Sequence, residues 1–309
     1  MTAIDNNDRL ELSATQALIA PGPRTPRRPR IAGKRGRVGR LLKHVLLILV
    51  GVVMLYPLLW MVASSIKPES LIFSDPSLLP REFDFTHYAE GWNALQHPFG
   101  VYLANSALVV AGSLIGNLLT CSMAAYAFAR LKFRAAGFFF GGMLLTLMIP
   151  VHVVLVPQYV MFSNLGWVNT FLPLILPKFL ATDAFFIFLM VQFFRGLPAE
   201  LDEAAKLDGA GYWRTYFQVI LPLSVPALAT TAIFTFIWTW NDFFSQLIFL
   251  TRPEVQTAPV ALRNFVDASS GSSWGSLFAM SILTLIPVFL VFLVGQRFLV
   301  KGIATTGLK

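Results

Sequence analysis

From Val45 to Ile66 the chain carries no charged side chain. A helix needs about 20 predominantly apolar residues to cross a bilayer, and this run is long enough. Five more runs follow, so spans are expected at about 44–64, 101–129, 136–162, 171–194, 223–250 and 276–299. In lipid every backbone polar group must be satisfied internally, which runs of this length achieve as helices. The expected fold class is an all-α membrane protein with six transmembrane helices. Composition agrees, with 13% charged residues against roughly a quarter in a soluble domain.

Charge in the connections sets the orientation. Nine Lys and Arg residues lie between Arg24 and Lys43. Arg130, Lys132 and Arg134 follow the second run, Arg195 and Arg214 flank the fourth connection, and Arg297, Lys301 and Lys309 end the chain. Residues 67–100 instead hold Glu69, Asp75, Glu82, Asp84 and Glu90 against Lys67 and Arg81. The positive-inside rule then places both termini and the element 195–222 in the cytoplasm of a cell with a cytoplasmic (inner) membrane. The net charge of +8 is a matter of orientation rather than of nucleic-acid binding. Residues 1–43, polar and Pro/Arg-rich, are expected to form a disordered cytoplasmic arm ahead of a six-helix domain at 44–309. The first run is too long and too late for a cleaved signal, so the first span is expected to stay uncleaved.

Several chemistries lack their residues. Cys121 is the single cysteine, so no internal disulfide can form. His44, His87, His97 and His152 are scattered, with no H-E-x-x-H and no paired Cys/His set, and no metal is expected. No catalytic constellation of nucleophile and base stands out, as a membrane enzyme would require. A polytopic membrane receptor or enzyme is one reading of such a chain. The sequence has no G-x-x-x-x-G-K-[S/T], so it lacks the usual phosphate loop for binding ATP.

The spans themselves are uneven. Gly112 and Gly116, with Ala104, Ala107, Cys121, Ala124 and Ala125, give the second a small-residue surface suited to close helix packing. Pro150 and Pro157 in the third, and Pro173 and Pro177 in the fourth, are expected to kink the helices. Asp183 and Asp242 are the acids at membrane depth, with Lys178 near Asp183. Their five-residue spacing does not assure a direct pair. A carboxylate at such depth costs roughly 2.5–3.5 kcal/mol on insertion scales and faces a cavity or a partner. Trp238, Trp240, Asn241 and Asp242 fall in the outer part of the fifth run, where the helix is expected to break. They read either as a polar and aromatic wall for a solute or as an interfacial belt with a helix cap.

Between the fourth and fifth runs stands EAAKLDGAGYWRTYFQVILPLSVP, residues 203–226. Glu200, Asp202 and Glu203 suit a helix N-terminus, where the dipole favours negative charge. Leu201 and Ala205 share one helix face, and Ala204 and Leu207 another, the alanines keeping it low in profile. Gly209-Ala210-Gly211 stops the helix with a sharp turn. Beyond it Tyr212, Trp213, Tyr216, Phe217, Ile220 and Leu221 form one apolar face of a helix expected to lie at the membrane interface, with Arg214 and Gln218 opposite. Pro222 and Pro226 mark entry to the fifth run. A well-capped, solvated loop would share many of these features.

The order Glu203-Ala204-Ala205, then Asp208-Gly209-Ala210, then Val219-x-Leu221-Pro222 resembles the EAA motif of ABC-importer permeases, with Val219 where isoleucine is commoner. NSALVV, AAYAFARLKFR, MIPVHVVLVPQY, FFRGLPAELDEAAKLDGAG, IFTFIWTWNDF and QRFLVKG are similar to the carbohydrate-importer branch. The short first external loop and the ending VKGIATTGLK point to its MalG-like subunit. The arm lies outside the likeness.

The resemblance implies a type I importer fold in which Glu203, Ala204, Ala205, Asp208, Gly209, Ala210, Val219, Leu221 and Pro222 couple to an ATPase. The implied partners are a MalF-like second permease, two copies of a MalK-like ATPase carrying ATP and Mg2+, and an external solute-binding protein entered by the loop 251–275. The implied cargo is a sugar, or a related solute of glycerophosphate type. Asn241, Asp242, Trp240 and Asp183 are the expected pathway residues, with most cargo contacts left to the second permease.

Overall fold

The computed structural model describes residues 34–266 and 273–306, among which every regular element is helical. The chain forms two compact units, Met1–Tyr56 and Pro57–Lys309. The helix Lys34–Ser64 runs across their boundary and starts ten residues before the expected span at 44. The basic stretch is free of proline after Pro29, and Arg, Lys and Leu extend a helix at little cost. The rest of the expected arm, 1–33, lies outside the described residues. From Gly39 to Tyr56 the helix is exposed apart from the half-buried Gly51.

Among the described residues, four segments have the length and apolarity to cross a membrane: Gly39–Ser64, Phe99–Arg130, Leu172–Gly196 and Trp274–Phe298. Two more crossings arise only if each of two bent pairs counts as one span. The expected third span, 136–162, is a pair: Ala136–Thr146 and Val151–Asn164 meet at 97°. A simple kink does not describe it. Pro150 offers no N–H and drives Ile149 from helical geometry, so it becomes the cap of the second helix, while Pro157 is accommodated inside it. The other pair is Tyr212–Leu223 with Val225–Asn241, bent by 77°.

The fourth segment is also discontinuous. A short helix, Leu172–Ile175, continues as a 3-10 turn over Leu176–Leu180, Ala181 takes a left-handed conformation (φ 53°), and a new helix runs Ala184–Gly196. The close approach of this segment explains the glycines of the second span. A Cβ on Gly116 would lie 2.9 Å from the Lys178 backbone, and one on Gly112 2.8 Å from Ile175. In lipid, cohesion between helices comes from such close packing and from hydrogen bonds rather than from expelling water.

The largest buried cluster joins Cys121, Ala125 and Tyr126 to Phe186, Ile187, Met190, Val191 and Phe194, with Tyr216 and Ile220 completing it. Here the Phe99–Arg130 and Ala184–Gly196 helices lie side by side. A second cluster sets Phe99 and Tyr102 against Ala258, Ala261, Ala279 and Met280.

The connections are built as firmly as the helices. Buried Lys67 donates its ammonium protons to the carbonyls of Asp75 and Ser77, both at 2.6 Å. The Ser77 N–H and hydroxyl hold the Asp75 carboxyl below the usual carboxylate range. Glu69 accepts the N–H groups of Trp274 (2.8 Å) and Gly275 (2.9 Å), capping the Trp274–Thr306 helix from far away in sequence. Asn169 Oδ1 accepts the N–H groups of Thr251 and Arg252. The loop expected at 251–275 contains a helix, Ala258–Leu262, with Ala258, Val260 and Ala261 buried. Its Ser/Gly run at 267–272 lies outside the described residues.

Candidate functional site

The polar element between the fourth and fifth segments is a helix, Glu200–Leu207, with its three acids in the first turn. The Gly209 N–H donates to the Lys206 carbonyl (3.0 Å) and the Ala210 N–H to the Ala205 carbonyl (2.9 Å). That pair of bonds is a Schellman ending, with Gly209 at φ 71° in the left-handed position it requires. Ala205 is buried and Leu201 half-buried, while Glu203, Ala204, Leu207 and Asp208 are exposed. Leu207, at 89% exposure, is a large apolar side chain with nothing over it. The result is a low ridge of Ala204 and Leu207 bordered by acids.

Beyond the Gly209 turn the structure departs from the single apolar face expected. Tyr216 and Ile220 are buried in the main cluster, whereas Tyr212, Trp213 and Phe217 point outward. Only part of this broad face meets the bundle, and a π-turn over Tyr216–Ile220, in which the Leu221 N–H reaches back to the Tyr216 carbonyl, turns the residues after it. Pro222 has no N–H to continue the ladder, and the extra residue rotates the following side chains. The Tyr216 and Ser122 hydroxyls meet at 2.7 Å, and the Tyr216 ring lies 5.2 Å from that of Tyr126. Buried Ser224 donates to the Ile220 carbonyl at the 77° bend. Val219 and Leu221 are half-buried beside these residues, and Pro222 is exposed.

Arg130, read from sequence only as a topogenic charge, ends the Phe99–Arg130 helix with its side chain 7% exposed. One terminal nitrogen donates to Asp202 at 2.9 Å. The other donates to the carbonyls of Phe194 (2.6 Å) and Leu197 (2.8 Å) at the end of the Ala184–Gly196 helix. A cavity of about 300 Å³ lies beside it, bounded also by Tyr126, Asp202, Lys206 and Tyr212.

The polar residues of the spans gather elsewhere. Lys178 Nζ lies 2.9 Å from Asp183 Oδ2, to which buried Asn117 also donates at 2.6 Å. Asn117 further approaches the Thr235 hydroxyl, and Thr120 donates to the Lys178 carbonyl. The pair borders two cavities that share Trp238 as a wall. One, of about 450 Å³, takes Lys178, Asn241, Asp242 and Gln246. The other, of about 390 Å³, takes Asp183, Gln158 and Phe185.

The four expected pathway residues therefore separate. Asp183, Asn241 and Asp242 reach these cavities, with Asp242 also accepting the Ser245 N–H at the helix break and Asn241 donating to the Ile237 carbonyl. Trp240 points away. It is buried, stacks on Phe236 and donates to the Thr284 carbonyl at 3.1 Å. Trp238, half exposed and packed on Phe185 and Phe186, holds the cavity position instead. Two residues along a helix is about half a turn, which turns these rings to opposite sides. Among the described residues no three His, Cys, Asp or Glu side chains are grouped to hold a metal ion.

Residues 116–305 match the family described as binding-protein-dependent transport system inner membrane component. The chain belongs to this family. The matched range contains the Glu200–Leu207 helix, the π-turn and most of the cavity wall. Among relatives of this permease, the diacetylchitobiose uptake system permease protein NgcG of Streptomyces coelicolor is 36% identical over 87% of this chain and 88% of its own. The probable ABC transporter permease protein YurM of Bacillus subtilis is 35% identical over 88% and 89%. The sn-glycerol-3-phosphate transport system permease protein UgpE of Yersinia pestis is 32% identical over 84% and 94%. The fold is similar to a chain in the crystal structure of a bacterial ABC transporter that imports the acidic polysaccharide alginate. That chain has a TM-score of 0.77, 25% identity, and coverage of 85% of this chain and 97% of that one.

Proposed function

We propose that this permease imports a neutral carbohydrate through a six-span bundle whose termini and 195–222 element face the cytoplasm. The exposed ridge of the Glu200–Leu207 helix carries the proposal, because it offers a preformed docking surface of suitable size for a groove. A cytoplasmic ATPase, present in two copies and holding ATP and Mg2+, seats this helix. Glu203 and Asp208 border the contact, Ala204 permits close approach, and Gly209 and Ala210 set the angle. Val219, Leu221 and Pro222 carry the movement into the fifth span. A second permease closes the other side of the pathway, and an external binding protein delivers the cargo. Domain limits of 1–43 and 44–309 belong to the same reading.

The cargo class follows from the cavity wall. Lys178, which lines the larger of these two cavities, is already neutralised by Asp183, and Asp242 adds a negative group. Such a wall does not favour an anionic solute. Trp238 beside Asn241, Asp242 and Gln158 suits the apolar faces and hydroxyls of a sugar. Uptake by the reconstituted complex tests this against diacetylchitobiose, other neutral oligosaccharides and glycerol-3-phosphate. Uptake of a neutral sugar supports the reading, and uptake confined to glycerol-3-phosphate contradicts it.

A further inference from the structure

We infer that Arg130 is the positioning residue that transmits movement of the Glu200–Leu207 helix into two spans at once. The inference rests on the ATPase-docking reading above. The guanidinium, carried at the end of the Phe99–Arg130 helix, binds two further elements: the carbonyls at the end of the Ala184–Gly196 helix, and Asp202 in the first turn of the Glu200–Leu207 helix. Behind the short helix lies the cavity of about 300 Å³, between its Asp202 and Lys206 and the Tyr126 and Leu131 side of the bundle. The charge-assisted fork bridges the gap at 2.9 Å.

Arginine suits this task for a geometric reason. Its planar head aims separate donors at a carboxylate and at two carbonyls in fixed directions, which the single ammonium of lysine does not reproduce. A cation at a helix C-terminus and an anion at a helix N-terminus also match both dipoles. Arg195 makes a comparison, since it donates to the Phe128 carbonyl at 3.5 Å and lies over the Phe140 ring without reaching the short helix.

The test uses the complete complex in membranes, with the Arg130→Gln, Arg130→Lys, Asp202→Asn and Arg195→Gln variants. Two quantities are read: retention of the ATPase, and ATP hydrolysis with and without the binding protein. Arg130→Gln and Arg130→Lys are expected to retain the ATPase and basal hydrolysis while stimulated hydrolysis falls about tenfold, within the usual range of site-to-site coupling. Asp202→Asn should fall less, because the carbonyl bonds persist, and Arg195→Gln should change little. Stimulation within about twofold of the wild type in Arg130→Lys, or ATPase loss in both Arg130 variants, overturns the inference. If neither Arg130 variant accumulates, unchanged stimulation in Asp202→Asn overturns it. Failure of the docking reading is seen separately, as Glu203→Lys leaving the ATPase bound and stimulated.

Discussion

Lys178 and Asp183 are joined at 2.9 Å although five residues apart, a spacing that points side chains in different directions on a regular helix. The left-handed turn at Ala181 closes the distance. Asn117 then fixes the carboxylate from the second span, so the break in the fourth segment is held by a polar clasp. Removing one partner leaves the other charge alone at membrane depth, whereas removing both leaves a neutral site. Lys178→Met and Asp183→Asn should each lower the amount or thermal stability of the assembled permease, with the double variant recovering part of the loss. A coupling energy of about 0.5–3 kcal/mol is expected from the double-mutant cycle in detergent melting. Strictly additive losses would show that the contact contributes nothing.

Gly209 sits at φ 71° with open space where a Cβ would stand, so a substitution there meets backbone strain and no collision. Gly209→Ala should cost about 1–2 kcal/mol locally, and Gly209→Asn less, because asparagine tolerates this conformation. With the rest of the fold unaffected, both variants should insert normally, and Gly209→Ala should lose more uptake per ATP hydrolysed than Gly209→Asn. Equal uptake ratios in the two would argue against a role for the turn angle.

Glu69 caps the Trp274–Thr306 helix with two hydrogen bonds to its first N–H groups. Glu69→Ala should cost about 0.5–2 kcal/mol, the usual range for a lost cap. The loss should appear as faster amide exchange at residues 274–277, with exchange in the 184–196 helix unchanged. Uniformly faster exchange would point instead to a general loss of stability.

How far the sequence carried these features depended on how local their causes are. The Glu200–Leu207 helix was legible because its acids, alanines and Gly209 act within a few residues, and the positive φ followed from Gly-Ala-Gly. The Ala181 turn was hidden, since alanine carries no left-handed preference, so the Lys178–Asp183 pair stayed open. The π-turn carries no local signal either, and which of Tyr212, Trp213, Tyr216, Phe217 and Ile220 meet the bundle depends on packing partners distant in sequence. Trp238 and Trp240 could not be told apart without knowing which way the Val225–Asn241 helix turns. Arg130 and Glu69 act across large sequence separations, whereas Asn117, a polar residue inside an apolar span, signals a buried partner.

The docking face of the Glu200–Leu207 helix is tested most directly by cross-linking from Leu207, its most exposed apolar residue. In a Cys121→Ser background, Leu207→Cys should form a cross-linked product with the ATPase in membranes of the assembled complex. Ser77→Cys, on the acidic connection, should form none and should react with an impermeant thiol reagent from outside intact cells. Absence of the Leu207→Cys product, or labelling of Leu207→Cys from outside, would contradict the assignment of this helix as the ATPase contact.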